Sequence, residues 1–165
     1  MRRNAVLWIC NTLFMRPGIK NINRFLLYKL PSAYFSGVRV VEMNDHKAIA
    51  RVKHQWINQN PFNSLYWATQ GMASELVTGV LIMVHIANSK KKISMLVTAQ
   101  NGEFYKKATG RISFVCDEGE KIKAVIDRAI ETGEGQTLSL SACGTNEQNE
   151  KVSQFTYTWS VKRRN

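Results

Sequence analysis

One carboxylate stands apart in this chain. Between Lys53 and Lys90 the only Asp, Glu, Lys or Arg is Glu75. An ionised carboxylate in an apolar segment is costly unless paired or hydrogen-bonded, and burial raises its pKa. A carboxyl held that way suits general acid–base work or nucleophilic attack. Two other readings stay open: pairing with a buried Arg, His or amide that only fixes packing, or an unfilled edge facing water. A second set of groups lies just upstream. Asn58, Gln59, Asn60, Asn63 and Ser64 are uncharged donors and acceptors before an apolar run. A helix start there offers free N–H groups and partial positive charge, which stabilise a developing oxyanion. Plain N-capping by Asn60 or Asn63 explains either residue equally well.

Other reactive types form no constellation. His46, His54 and His85 lack metal-ligand spacing, so no metal and no cofactor is expected. Cys10, Cys116 and Cys143 are an odd number without metal spacing or a Cys/His nucleophile context. They read as core residues in a reducing, cytoplasmic setting.

The elements that must position Glu75 follow from periodicity. Residues 5–15 and 19–30 read as short helices broken at Arg16-Pro17-Gly18, with Pro31-Ser32 ending the second. Val38, Val40 and Met43 begin a hairpin that turns at Asn44-Asp45. Its second strand alternates through Ala48, Ala50, Val52, His54 and Trp56. After the polar loop the spacing predicts a long helix over about 62–84, apolar nearly all round and therefore central. On a helical wheel Ser64, Ala68, Gly71, Glu75, Gly79 and Ile82 share one side, mostly small, so a ligand or backbone can approach Glu75. Strands are expected at 93–98 and 112–116. A helix over 117–131 is capped by Asp117 and stopped by Gly133. Two alternating strands close the chain, Leu138/Leu140/Ala142 and Phe155/Tyr157/Trp159/Val161. Asn101-Gly102 is a hairpin signal or, alternatively, a bulge in one long strand.

Composition bounds the rest. The chain has 165 residues, 44% hydrophobic and 21% charged, which excludes a disordered, collagen-like or coiled-coil protein. One domain is expected, with a helical segment over 1–35 and the main body over 36–165. No uncharged apolar run approaches a membrane span of about 18 residues. Arg2 and Arg3 before an apolar run of six residues make a poor signal peptide. Lys and Arg number 23 against 12 Asp and Glu, a net charge of +11. The excess sits in residues 1–35, in Lys90-Lys91-Lys92 and in Lys162-Arg163-Arg164, while residues 93–150 are net acidic. Solubility, an anionic ligand or a membrane surface all fit. Nucleic acid is not expected, because no motif or stacking platform accompanies the bases.

The order of strand pair, polar loop, buried helix and further strands resembles the hotdog fold, an α+β arrangement in which an antiparallel sheet wraps a long central helix. Asn60-Pro61-Phe62-Asn63-Ser64-Leu65-Tyr66 entering the helix, and Glu75-Leu76-Val77-Thr78-Gly79-Val80 within it, are similar to the acyl-CoA thioesterase superfamily. The N-terminal helices and the helix between strands resemble a thioesterase-like branch of unknown function. In many relatives the helix carries a catalytic Asp or Glu, and a His-Gly-Gly opens it nine residues earlier. Here Glu75 matches the acid, and Tyr66-Trp67-Ala68 replaces His-Gly-Gly. The resemblance implies a continuous strand through 93–106, bulged at Gly102, and a homodimer or dimer of dimers sharing its sites.

Two functions follow as expectations. In the first, the protein hydrolyses an acyl thioester such as an acyl-CoA. Glu75 acts as base or nucleophile, and amides near Asn60, Asn63 and Ser64 hold the oxyanion. Asn58, Tyr66, Trp67, Ala68, Gly71 and Gly79 line the substrate, and Lys106, Lys107 and Arg111 face the coenzyme's nucleotide or form a solvated edge. In the second, a non-catalytic protein holds a fatty acyl ligand, with peripheral membrane contact through its basic N-terminal segment.

Overall fold

The computed structural model describes residues 18–164. The helix expected over 5–15, and Cys10, lie outside the described residues. The remaining order is α1 (Ile19–Lys29), α2 (Pro31–Phe35), β1 (Arg39–Met43), β2 (Ala48–Lys53), a 3₁₀ turn (Trp56–Asn58), α3 (Trp67–Ser89), β3 (Ile93–Phe104), β4 (Arg111–Cys116), α4 (Gly119–Thr132), β5 (Gln136–Thr145) and β6 (Lys151–Arg163). The strands form one antiparallel sheet in the order β1-β2-β4-β5-β6-β3.

Period-two alternation aims one face of this sheet at α3. Ala48, Ala50 and Val52, then Ile112 and Phe114, Leu138, Leu140 and Ala142, and Phe155, Tyr157, Trp159 and Val161 are all buried. They meet Ala73, Leu76, Val77, Val80, Leu81 and Ile82 of the helix. Each large side chain so buried contributes about 1.5–3 kcal/mol. This is the hotdog arrangement, an antiparallel sheet wrapped around one helix. By length and composition α3 could cross a membrane, yet 67% of its apolar window is packed inside the fold. Ile22 and Leu26 of α1 join the same core, and Ile122, Ile126 and Ala129 of α4 close it on another side.

Several boundaries differ from the sequence reading, each for a local reason. The helix expected over 19–30 does end before Pro31, at Lys29, but Pro31 then opens a second short helix that was not expected, where its missing N–H costs nothing. The hairpin turns over four residues rather than two: Asn44 Oδ1 accepts from the N–H groups of His46 and Lys47, both at 2.9 Å. β2 stops at Lys53, so His54 falls beyond it and Trp56 enters the 3₁₀ turn. α3 begins at Trp67, later than expected, because Asn63 adopts a left-handed φ of 55° that interrupts any helix through it. It runs on to Ser89, where Lys90 takes the left-handed cap. β3 is one continuous strand, but its bulge lies between Val97 and Ala99. Gly102 stays in register opposite Phe155, where a Cβ would meet the ring at 2.8 Å. Asp117 does not cap α4: Glu118 is the N-cap residue and turns its carboxylate to the Ser141 N–H. Gly133 does end α4, at φ 71°.

Candidate active site

The sheet curls far enough that α1, α2 and the β3 side meet across the outer face of α3. A cavity of about 280 Å³ lies there. Its apolar wall includes Phe25, Met72, Leu76, Met83, Met95 and Trp159, and its polar side chains are Lys29, Ser32 and Glu75. Glu75 is exposed to solvent where it lines this cavity, as the water-facing reading expected, and partial desolvation by the apolar walls raises its pKa above the ordinary 4.5. Among the described residues its carboxylate has no hydrogen bond and no ion pair. The reading in which Glu75 is locked to a buried base therefore has no support there.

The helix under Glu75 is held by a polar ladder that sequence reasoning missed. Gln70, Ser74 and Thr78 recur every four residues and so share one face of α3. Ser153 Oγ donates to Gln70 Oε1 at 2.8 Å, and Trp159 Nε1 donates to Thr78 Oγ1 at 3.0 Å. Ser74 Oγ and Tyr157 Oη lie 2.7 Å apart, and Tyr157 Oη also donates to Gly71 O at 3.0 Å. Burial pushes the Tyr157 phenol up to about 12, opposed by its bond to Ser74 and aided by the nearby Glu75 charge. The signal was present in the i, i+4, i+8 spacing of Gln70, Ser74 and Thr78, opposite strand aromatics with polar tips.

Small size at Gly79 keeps the cavity open. A Cβ there would lie 3.3 Å from Trp159 Cη2 and 3.8 Å from Met95 Cε. A Cβ at Gly71 would meet nothing within 4 Å. A second cleft, about 630 Å³, opens at the N-terminal end of α3. Asn60, Ser64, Tyr66, Trp67, Lys106 and Lys107 line it, with Phe62, Phe104 and Tyr105. Thr69 and Gln70 donate their N–H groups to Tyr66 O, leaving the Trp67 and Ala68 amides without an acceptor among the described residues. Lys106 pairs with Glu150 at 2.5 Å, and Lys107 Nζ donates to Phe62 O at 3.1 Å.

The structure thus divides the predicted residues between two places. Glu75 and Gly79 line the first cavity; Asn60, Ser64, Tyr66, Trp67 and both lysines line the second, and Asn63 lines neither. Ala68 and Gly71 lie on the helix between them. Arg111 opens β4 opposite Lys53 and lines neither cavity. Neither does Asn58, 3% exposed, whose Oδ1 accepts from Gln55 N–H and whose Nδ2 donates to Ser36 O and Lys53 O. Asn60 Oδ1 accepts from the N–H groups of Phe62 and Ser64, and its Nδ2 donates to Ser64 Oγ. Asn63 is exposed at its left-handed backbone position. Among the described residues no group of three or more His, Cys, Asp and Glu could hold a metal ion. Cys116 and Cys143 are free, with the buried Cys116 thiol pushed up to about 11.

No curated protein matches the sequence. Solved structures share the fold at low identity. PA5026 of Pseudomonas aeruginosa, a protein of unknown function and probable thioesterase, superposes with a TM-score of 0.75 at 21% identity, covering 88% of this chain and 96% of that one. OLEI01261 of Chlorobaculum tepidum, of unknown function, gives 0.76 at 15%, covering 88% and 97%. Thioesterase HI1161 of Haemophilus influenzae gives 0.67 at 12%, covering 88% and 91%. Residues 18–161 match the family model described as Domain of unknown function (DUF4442), and the chain belongs to that family.

Proposed function

We propose that this protein hydrolyses acyl thioesters, with Glu75 as general base. The observation that carries the reading is an unpaired carboxylate, its pKa raised by burial, at the polar edge of an apolar cavity. Such a carboxylate accepts a proton more readily than one fully surrounded by water. The ionised Glu75 takes a proton from water as the water oxygen attacks the thioester carbonyl. The carbon–sulfur bond then breaks, the thiolate recovers a proton, and a carboxylic acid and a thiol leave. The acyl chain lies along Met72, Leu76, Gly79, Met83, Met95 and Trp159. Lys106 and Lys107, at the second cleft, face the anionic end of a carrier such as coenzyme A.

The Trp67 and Ala68 amides supply the oxyanion site. Seven residues separate Ala68 from Glu75, about 10 Å along a helix. One carbonyl is therefore served by amides of one copy and Glu75 of another. The edge strand β3 supports such a homodimer. It has one neighbour in the sheet, and residues 93–102 contain no charge or proline to deter pairing.

Acyl-CoAs of graded length, followed by thiol release, test the reaction. Turnover on part of the series supports the hydrolase. Retention of acyl-CoA or fatty acid without thiol release supports the second reading, a carrier of acyl chains. That reading is favoured by three flexible methionines in the cavity wall, which adapt to varied ligands.

A further inference from the structure

Exposed large apolar side chains gather at the end of the molecule where α2, the 3₁₀ turn and the loop before α3 meet. Trp56 is 84% exposed, Phe62 72%, Phe35 64% and Ile57 57%. This is not loose chain. Asn58 ties the three segments together: its side chain holds Ser36 at the end of α2, Lys53 at the end of β2, and Gln55 ahead of the turn. Tyr66 N–H donates to Asn58 O, which brings in the loop that carries Phe62. A buried, fully bonded asparagine therefore presents apolar side chains outward on a rigid base. A soluble fold gains nothing by exposing such a cluster, so it marks a surface that another phase or molecule covers.

The segments that supply these side chains carry one sign of charge, while Glu150 and Glu103 are bonded to Lys106 and Tyr105 in the cleft that Phe62 lines. Residues 1–41 contain no Asp or Glu, and neither do residues 46–74. Together these segments supply all four exposed side chains. The bases nearby are Lys53, in sequence just before the turn, Arg39 over the Tyr34 ring at 3.7 Å, and Lys107 against Phe62 O. Aromatic and aliphatic prongs among bases have the composition of an interfacial membrane anchor.

We infer that Phe35, Trp56, Ile57 and Phe62 form a docking surface for an anionic lipid bilayer. The prongs enter the headgroup region while the bases meet lipid phosphate. Ser32 and Ala33, one helical turn from Phe35, line the Glu75 cavity, so a docked molecule holds that cavity close to the bilayer. This surface is separate from the basic N-terminal segment, and it does not require Glu75 to be catalytic.

The test is co-sedimentation of the full chain with vesicles of phosphatidylcholine alone or mixed with phosphatidylglycerol. The wild type should partition onto the anionic vesicles and release at high salt. A Trp56→Ser, Ile57→Ser double variant should partition about tenfold or more weakly with its melting temperature unchanged, because both side chains are largely solvated in the free protein. Lys53→Gln should weaken partitioning in the same direction. Absence of partitioning by the wild type would overturn the inference. So would a double variant that partitions like wild type, which would assign binding to other bases. A double variant that dissociates the protein without lipid present would instead make this face a contact between copies. Equal retention on duplex DNA, lost in the same variant, would replace the bilayer with nucleic acid. The readout is partitioning, so its failure is distinct from failure of the hydrolase reading.

Discussion

Replacing Asn58 with alanine removes three hydrogen bonds at once. Its side chain accepts from Gln55 N–H at 2.8 Å and donates to Ser36 O and Lys53 O at 2.8 and 2.9 Å. A net value of about 1 kcal/mol per bond gives about 3 kcal/mol. Gln55 and Lys53 are exposed residues, so water recovers part of this, and about 2–3 kcal/mol is the expected loss. For a chain of this length, that lowers the melting temperature by about 4–12 °C. Asn58→Asp should cost more than Asn58→Ala. It keeps the acceptor but turns a carboxylate oxygen toward two carbonyl oxygens that now lack a donor. Thermal and urea unfolding of wild type and both variants check the order and the size. A loss below about 1 kcal/mol for alanine, or an aspartate variant as stable as wild type, would refute the clamp. An unchanged melting temperature with a raised KM would instead make Asn58 a substrate contact.

Three further outcomes follow from the site. Gly79→Val places a branched side chain against Trp159 Cη2, closing the cavity; long acyl chains should lose binding before short ones, and overpacking costs about 1–3 kcal/mol, read by chain-length profiles and urea unfolding. Tyr157→Phe removes the phenol between Ser74 Oγ and Gly71 O and should destabilise by about 1–2 kcal/mol in urea, because Ser74 keeps its own bond to Gly71 O. The raised pKa of Glu75 has two consequences for pH. Activity should fall on the acid side with a midpoint above 4.5, as the base becomes protonated. Burial disfavours its charge, so the stability of protonated Glu75 is present below the unfolded pKa and is lost as pH rises through the folded one. Glu75→Gln should therefore be modestly more stable than wild type at neutral pH and lose that advantage in acid, measured by urea unfolding at both pH values.

The sheet and its central helix were legible because their signals are long and redundant. Alternation over Phe155, Tyr157, Trp159 and Val161, and 36 residues with a single charge, leave few alternatives. The start of α3 was not legible. Asn60 and Asn63 are good caps in isolation, but here Asn60 spends its side chain inside the loop and Asn63 takes a left-handed backbone. Local propensity had no means of choosing between a cap and an Asx turn. Asn44-Asp45 misled for a related reason, since the Asn44 side chain organised a longer turn. Glu75 was legible as an isolated charge. That it lines a cavity was not, because α1, α2 and β3 reach that cavity from distant parts of the chain. The partners of Gln70, Ser74 and Thr78 depend on the register of β6, which periodicity does not fix.

Side-by-side turnover of wild type and Glu75→Gln on a thioester that the wild type cleaves tests the central claim most directly. The substitution keeps the size and shape of the side chain while removing the base. Thiol release should drop by about 100- to 10,000-fold, in a variant that unfolds no earlier than wild type and still binds the acyl ligand. Glu75→Gln turnover within a few-fold of wild type would contradict the assignment of Glu75 as the base.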